Sequence, residues 1–272
     1  MLGSLVQWWR SRLWPRAVAM ACAVCLSPAA VATDPAAAIA AYRAGDYGRA
    51  VANLREPAAA GDAAAQFYLG LAYAFGHGVV ADADKAAHWY ERAAQAGYPR
   101  AQVNLALLLL DGARGADTDT VQRARDWLMR AAAQGDGRAA HHLGLMHFRG
   151  HGVARDYTAA REWWEQGVAR GDRSSAFNLG VLYRRGLGVA RDPAKAIEWW
   201  QRAAYAGLAE AQNALGGAYQ NGAGVAFDLI EAWAWFRLAA EQGLPVAELN
   251  AELVRGRLDA AGRERPEQRR AA

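Results

Sequence analysis

The stretch Ser175-Ala-Phe-Asn-Leu-Gly-Val-Leu-Tyr-Arg-Arg-Gly-Leu-Gly-Val-Ala-Arg-Asp-Pro-Ala-Lys-Ala-Ile-Glu-Trp-Trp-Gln-Arg-Ala-Ala-Tyr-Ala-Gly207 reads as two helices joined by a glycine turn. The same stretch recurs along the 272-residue chain, and recurrence at a fixed period sets the architecture before any single residue is interpreted. The leucine of the Leu-Gly pair returns at Leu69, Leu105, Leu143, Leu179 and Leu215, with spacings of 36, 38, 36 and 36 residues. The next position holds Gly70, Ala106, Gly144, Gly180 and Gly216, and a small residue there lets a second helix approach closely. Six residues on, the turns Gly76-His-Gly78, Gly150-His-Gly152, Gly186-Leu-Gly188 and Gly222-Ala-Gly224 each precede a valine. The first glycine of each suits the left-handed residue that ends a helix.

A cap follows each turn. Asp82, Asp156, Asp192 and Asp228 lie seven residues before Trp89, Trp163, Trp199 and Trp235, and Thr120 stands at that distance from Trp127. These side chains accept hydrogen bonds from the free N–H groups of a helix's first turn. Pro193 fits the first helical position, and Asp228 with Glu231 has capping-box spacing. Gly97, Gly135, Gly171, Gly207 and Gly243 close the second helices.

This pattern resembles Sel1-like repeats, relatives of tetratricopeptide repeats, from about Ala63 to Gly243. The units are 63–98, 99–136, 137–172, 173–208 and 209–244. The second unit departs from the pattern, with Ala106, the turn Gly112-Ala-Arg-Gly115 and two extra residues. The resemblance implies an all-α fold, a right-handed superhelical solenoid of antiparallel helix pairs. It also implies that the first helices line a concave side that binds protein segments.

At the start, residues 1–32 look like a cleavable secretory signal. Arg10, Arg12 and Arg16 precede the apolar run Ala17–Leu26, and Ala30-Val-Ala32 is a cleavage motif. Ten apolar residues are too few to span a bilayer as a helix; an uncleaved anchor is the alternative reading. Cleavage after Ala32 predicts a periplasmic or secreted protein. Both cysteines, Cys22 and Cys25, fall in this segment, so a chain from Thr33 has no thiol chemistry. The segment also carries three arginines and no acid, which leaves the remainder close to neutral and gives no basis for nucleic-acid binding. Residues 33–62 read as a degenerate helical hairpin broken at Gly45-Asp46, an N-terminal cap. Residues 245–261 read as a C-terminal capping helix docking through Leu249, Leu253 and Leu258, and 262–272 as a frayed polar tail.

Chemistry-bearing motifs are sparse. The chain has two lysines, Lys85 and Lys195, and Asp82 and Asp192 stand three residues before them, so no Ser-x-x-Lys exists. His141, His142, His147 and His151 cluster in the third unit, but Gly150 ends the helix that would align His147 with His151, and no His-Glu-x-x-His is present. No metal or cofactor is expected. Trp163 and Trp199 keep the register of the inter-repeat core. Trp164 and Trp200 match bulky Tyr90, Leu128 and Phe236; their exposure would favour sugar stacking, and their burial would weaken it.

A helical wheel assigns Ala65, Leu69 and Tyr73 to the core and directs positions 68 and 75 away from it. The first column reads Tyr68, Asn104, His142, Asn178 and Ala214; the second reads Phe75, Asp111, Arg149, Arg185 and Asn221. These columns vary while the framework columns repeat. Together they predict a non-catalytic scaffold binding an envelope protein or peptide on its concave face. The alternatives are an envelope polysaccharide or peptidoglycan fragment as ligand, or a hydrolase with an unrecognised site.

Overall fold

The computed structural model describes residues 34–112 and 118–270; the expected signal at residues 1–32 and most of the second unit's irregular turn lie outside them. Among the described residues there are thirteen helices and no strand. A first hairpin comprises α1 (Pro35–Arg43) and α2 (Tyr47–Ala60). The five units follow as α3 (Ala63–Phe75) with α4 (Ala83–Gln95), α5 (Pro99–Gly112) with α6 (Thr118–Ala133), α7 (Gly137–Arg149) with α8 (Tyr157–Ala169), α9 (Arg173–Arg185) with α10 (Pro193–Tyr205), and α11 (Ala209–Asn221) with α12 (Leu229–Glu241). α13 (Pro245–Arg270) ends the series. Each helix packs on the one before and the one after, which makes an all-α solenoid of helix pairs.

Within a unit, the pair is held by a small residue meeting a large one. A Cβ added to Gly70 would lie 2.6 Å from the Tyr90 ring, and one added to Gly216 would lie 2.6 Å from Phe236. Gly144 meets Trp164, and Gly180 meets Trp200, in the same way. The second unit shifts the division of volume: Ala106 adds a methyl on one side and Leu128 replaces the aromatic ring on the other, both fully buried.

Between units, two contacts recur. The second turn glycine rests on the start of the preceding second helix: Gly78 on Tyr47, Gly152 on Val121, Gly188 on Tyr157 and Gly224 on Pro193. A buried glutamine then bridges the helices. Gln66, Gln102 and Gln212 donate Nε2 to the carbonyls of Ala58, Ala94 and Ala204 at 3.0, 3.1 and 3.2 Å. Those carbonyls sit in the last turn of the preceding helix, where each also accepts the N–H of the closing glycine, Gly61, Gly97 or Gly207, and the glutamine takes up the second lone pair. Ala140 and Ala176 take this position in the third and fourth units.

Asp82, Asp156, Asp192 and Asp228 cap α4, α8, α10 and α12 through their carboxylates. The Asp228 N–H is taken by the Tyr219 carbonyl at 3.0 Å, so this residue completes only the outward half of a capping box. The same carbonyl bond from the preceding first helix recurs at Asp82, Asp156 and Asp192. Thr120 is not a cap: α6 begins two residues earlier, at Thr118. Asp62, Asp136 and Asp172 cap the first helices α3, α7 and α9, which the sequence reading had passed over.

The ends differ from expectation in two ways. On α13 the docked residues are Ala247, Ala251 and Val254, with Leu258 half-buried; Leu249 and Leu253 are 66% and 65% exposed. Counting 36 residues back explains this: Ala247, Ala251 and Val254 fall on the core columns of Ala211, Leu215 and Ala218. The same count places Glu252 on the small-residue column of Gly216, where Arg255 pairs with it at 2.8 Å. The helix also continues through residues 262–270, expected to be a frayed tail, a stretch rich in the good helix formers Arg, Glu and Gln.

Candidate functional site

The first helices α5, α7, α9 and α11 border two hollows, the larger of which also reaches Pro193, Ala196, Trp200 and Phe236 of the second helices α10 and α12. One, of about 330 Å³, is lined by Leu107, Leu110, Asp111, His142, Leu145, Met146, Arg149 and His151. The other, of about 1020 Å³, runs over α9, α11 and the start of α13 and includes Phe177, Val181, Arg184, Arg185, Asn213, Ala214, Asn221 and Asn250. The two expected columns are thus brought together in part. Asp111, His142 and Arg149 share the first hollow; Arg185, Ala214 and Asn221 share the second.

The remaining members stand elsewhere. Tyr68 is buried, 5% exposed, because α1 covers it: Arg43 donates Nε to the Tyr68 hydroxyl at 2.9 Å, and Tyr42 packs edge-on at 5.2 Å. It is a cap contact, and its assignment to the exposed face is corrected. Phe75 is exposed and lies beside His77, whose ring stacks on Tyr47 at 4.0 Å and whose Nδ1 meets the Tyr42 hydroxyl at 2.8 Å. Burial pushes the Tyr42 hydroxyl up to about 12, which keeps it protonated near neutral pH. Asn104 accepts from Arg138 at 3.4 Å, and Asn178 is tied to His141 Nε2 at 3.0 Å. The wheel had missed the column midway between positions 68 and 75: Leu107, Leu145, Val181 and Gly217, half-buried, form the apolar floor of the hollows. Its signal was present in the sequence, as apolar residues offset from the core stripe.

His142 lines the smaller hollow, and the ring of His141 lies beside it with the centroids 5.0 Å apart. Burial lowers the affinity of both for a proton; for His142 the value falls to about 4, with His141 as the next cause. The unfolded ring binds its proton near 6.5, the folded ring only near 4, so between these values the unfolded chain holds more protons and stability falls as pH falls. Urea unfolding of the wild type is expected to weaken from pH 6.5 toward 4, and His142→Gln is expected to remove up to about 1.4 kcal/mol per pH unit of that slope. Equal slopes in the two proteins would contradict the assignment.

Both members of each tryptophan pair contribute to the core: Trp163 and Trp199 pack against the inter-repeat clusters as expected, and Trp164 and Trp200 are the more deeply enclosed. Trp164 and Trp200 are buried, 1% and 4% exposed, while Trp163 and Trp199 are half-buried. The indole Nε1 of Trp164 donates to the His141 carbonyl at 3.1 Å and that of Trp200 to the Phe177 carbonyl at 3.2 Å. Neither ring face is available to a sugar. Among the described residues no group of three or more metal-ligating side chains comes together, and no helix is long and apolar enough to cross a membrane.

The Sel1 repeat model matches this chain at residues 63–98, 99–136, 137–172, 173–208 and 209–244. A Sel1 repeat protein from Oxalobacter formigenes is 33% identical, with a TM-score of 0.72, over 79% of this chain and 86% of its own. The structure of c5321, a protective antigen of uropathogenic Escherichia coli with an SLR fold, is 32% identical with a TM-score of 0.66, over 82% of this chain and 49% of its own. Chitin synthase regulatory factor 3 of Schizosaccharomyces pombe is 35% identical over 107 residues, which is 39% of this chain and spans only 12% of that protein. The chain belongs to the Sel1 repeat family, whose members generally serve protein–protein interaction without catalysis.

Proposed function

We propose that this protein is a non-catalytic scaffold of the bacterial cell envelope that holds a segment of another protein against the faces of its first helices. The observation that carries this reading is the division of labour among columns. The Gly–aromatic and turn-glycine contacts repeat from unit to unit, whereas Asp111, His142, Arg149, Arg185 and Asn221 vary and line the hollows. A preformed groove on a rigid solenoid binds an extended segment with little ordering cost of its own. The basic-then-apolar start of the chain and its small-residue cleavage motif support export. Burial of Trp164 and Trp200 removes the support for a glycan ligand.

The test places a photo-crosslinking amino acid at Leu145 or Val181, on the groove floor, and at Glu162 or Glu198, exposed on the second helices. Expression in a Gram-negative cell is followed by irradiation and mass spectrometry. Polypeptide adducts from positions 145 and 181, with none from 162 and 198, are expected. Adducts from the second helices alone would refute the assigned face. The same sample reports export: an intact-mass species beginning at Thr33 is expected in the periplasmic fraction.

A further inference from the structure

The larger hollow has a charge pattern that the smaller one lacks. Arg184, Arg185 and Arg191 line it, against a single acid, Glu210. Arg191 donates Nε to the Arg184 carbonyl at 3.2 Å, and the Arg184 guanidinium lies over the Trp200 ring, 5.5 Å from its centroid. Both contacts orient a guanidinium without neutralising it. Among the described residues, no carboxylate lies within ion-pair distance of any of the three arginines. Three arginines against one acid leave the hollow net positive, and an anion relieves that excess.

The rest of the lining says which kind of anion. Phe177 and Val181 form an apolar floor beside the arginines, and Asn250 donates to Asn213 at 2.9 Å, leaving amide groups free along one wall. Guanidinium forks match carboxylates in a bidentate manner, and amides match the N–H and C=O of an extended backbone. A simple polyanion would satisfy the arginines and leave Phe177 and Val181 unused. We infer that the groove over α9, α11 and the start of α13 binds an acidic protein segment, its carboxylates on Arg185 and Arg191 and an intervening apolar side chain on Phe177 and Val181. This rests on the reading of the first-helix faces as a protein-binding surface and adds the chemistry of the partner.

Purified protein is titrated into a fluorescein-labelled ten-residue peptide of Glu, Asp and Leu, and separately into its counterpart with Gln and Asn for the acids. Fluorescence anisotropy reads the affinity. The acidic peptide is expected to bind at least tenfold more tightly, and more weakly as salt rises. Reversing Arg185→Glu with Arg191→Glu is expected to lose tenfold or more. Reversing the exposed, distant pair Arg100→Glu with Arg123→Glu makes the same change in net charge and is expected to stay within twofold. Equal binding of the two peptides, or equal loss in the two double variants, overturns the inference. So does displacement of the labelled peptide by heparin at lower concentration than by unlabelled peptide, which reassigns the groove to anionic glycans. Crosslinked polypeptides at positions 145 and 181 together with failure here would remove the acidic preference and leave the scaffold; failure of both would remove the scaffold as well.

Discussion

Gly180→Ala is expected to lower the free energy of unfolding by about 2–3 kcal/mol, although alanine is the better helix former. The added methyl meets the indole of Trp200, which is buried and held by its bond to the Phe177 carbonyl. The second unit shows the alternative solution, Ala106 against Leu128. Trp200→Leu alone is expected to cost about 3–4 kcal/mol through the volume it removes. In that background Gly180→Ala is expected to cost less than about 1 kcal/mol or to be neutral, because the methyl then fills space the indole has vacated. The double-mutant cycle should therefore give a coupling of at least about 1.5 kcal/mol, read from urea unfolding followed by circular dichroism. Equal cost of Gly180→Ala in both backgrounds would show that the glycine serves something other than the approach of α10.

Gly78→Ala and Gly76→Ala are expected to separate two roles of glycine in one turn. Both residues have positive φ, 70° for Gly76 and 71° for Gly78, so each pays the left-handed cost of a Cβ, about 1 kcal/mol. At Gly76 a Cβ finds its nearest neighbours at 3.5 Å, which is ordinary contact. At Gly78 it meets the Tyr47 carbonyl oxygen at 2.6 Å and carbon at 2.7 Å. Backbone cannot rotate aside as a side chain can. Gly76→Ala should cost about 1 kcal/mol and Gly78→Ala about 3 kcal/mol, the difference reporting the stacking of the turn on α2. Hydrogen exchange is the second readout: Gly78→Ala should loosen α1 and α2 selectively, while Gly76→Ala should not.

What the sequence made legible was whatever one repeat imposes on every other. Leu69 and its successors, the turn glycines and the caps at Asp82, Asp156, Asp192 and Asp228 each recur in register, and each stands as expected. What it hid were contacts supplied by a different element. Tyr68 has the wheel position of Asn104 and Asn178, yet it is buried because α1 covers it, and α1 belongs to no repeat. Trp163 and Trp164 are adjacent and alike in size; which of them is enclosed depends on the helix facing them, through Gly144. Leu249 and Leu253 look like anchors on their own helix, and only alignment with the column of Leu215 shows that Ala251 takes that place. The bridging glutamines Gln66, Gln102 and Gln212 carry no apolar or cap signal, because their partner is a backbone carbonyl of the preceding unit.

The ion pair of Glu252 and Arg255 bears on how such a chain can lengthen. A helix laid against α13 as α12 is laid against α11 would bring an aromatic ring onto a carboxylate where Gly216 offers bare backbone. A unit appended after α13 in that register would have to accommodate Glu252, whereas duplicating any unit between residues 63 and 244 reproduces junctions the molecule already contains. The array can therefore gain members from within by repeating contacts it already makes, whereas a unit packed on α13 would meet a charge pair where every other junction between residues 63 and 244 offers a small residue.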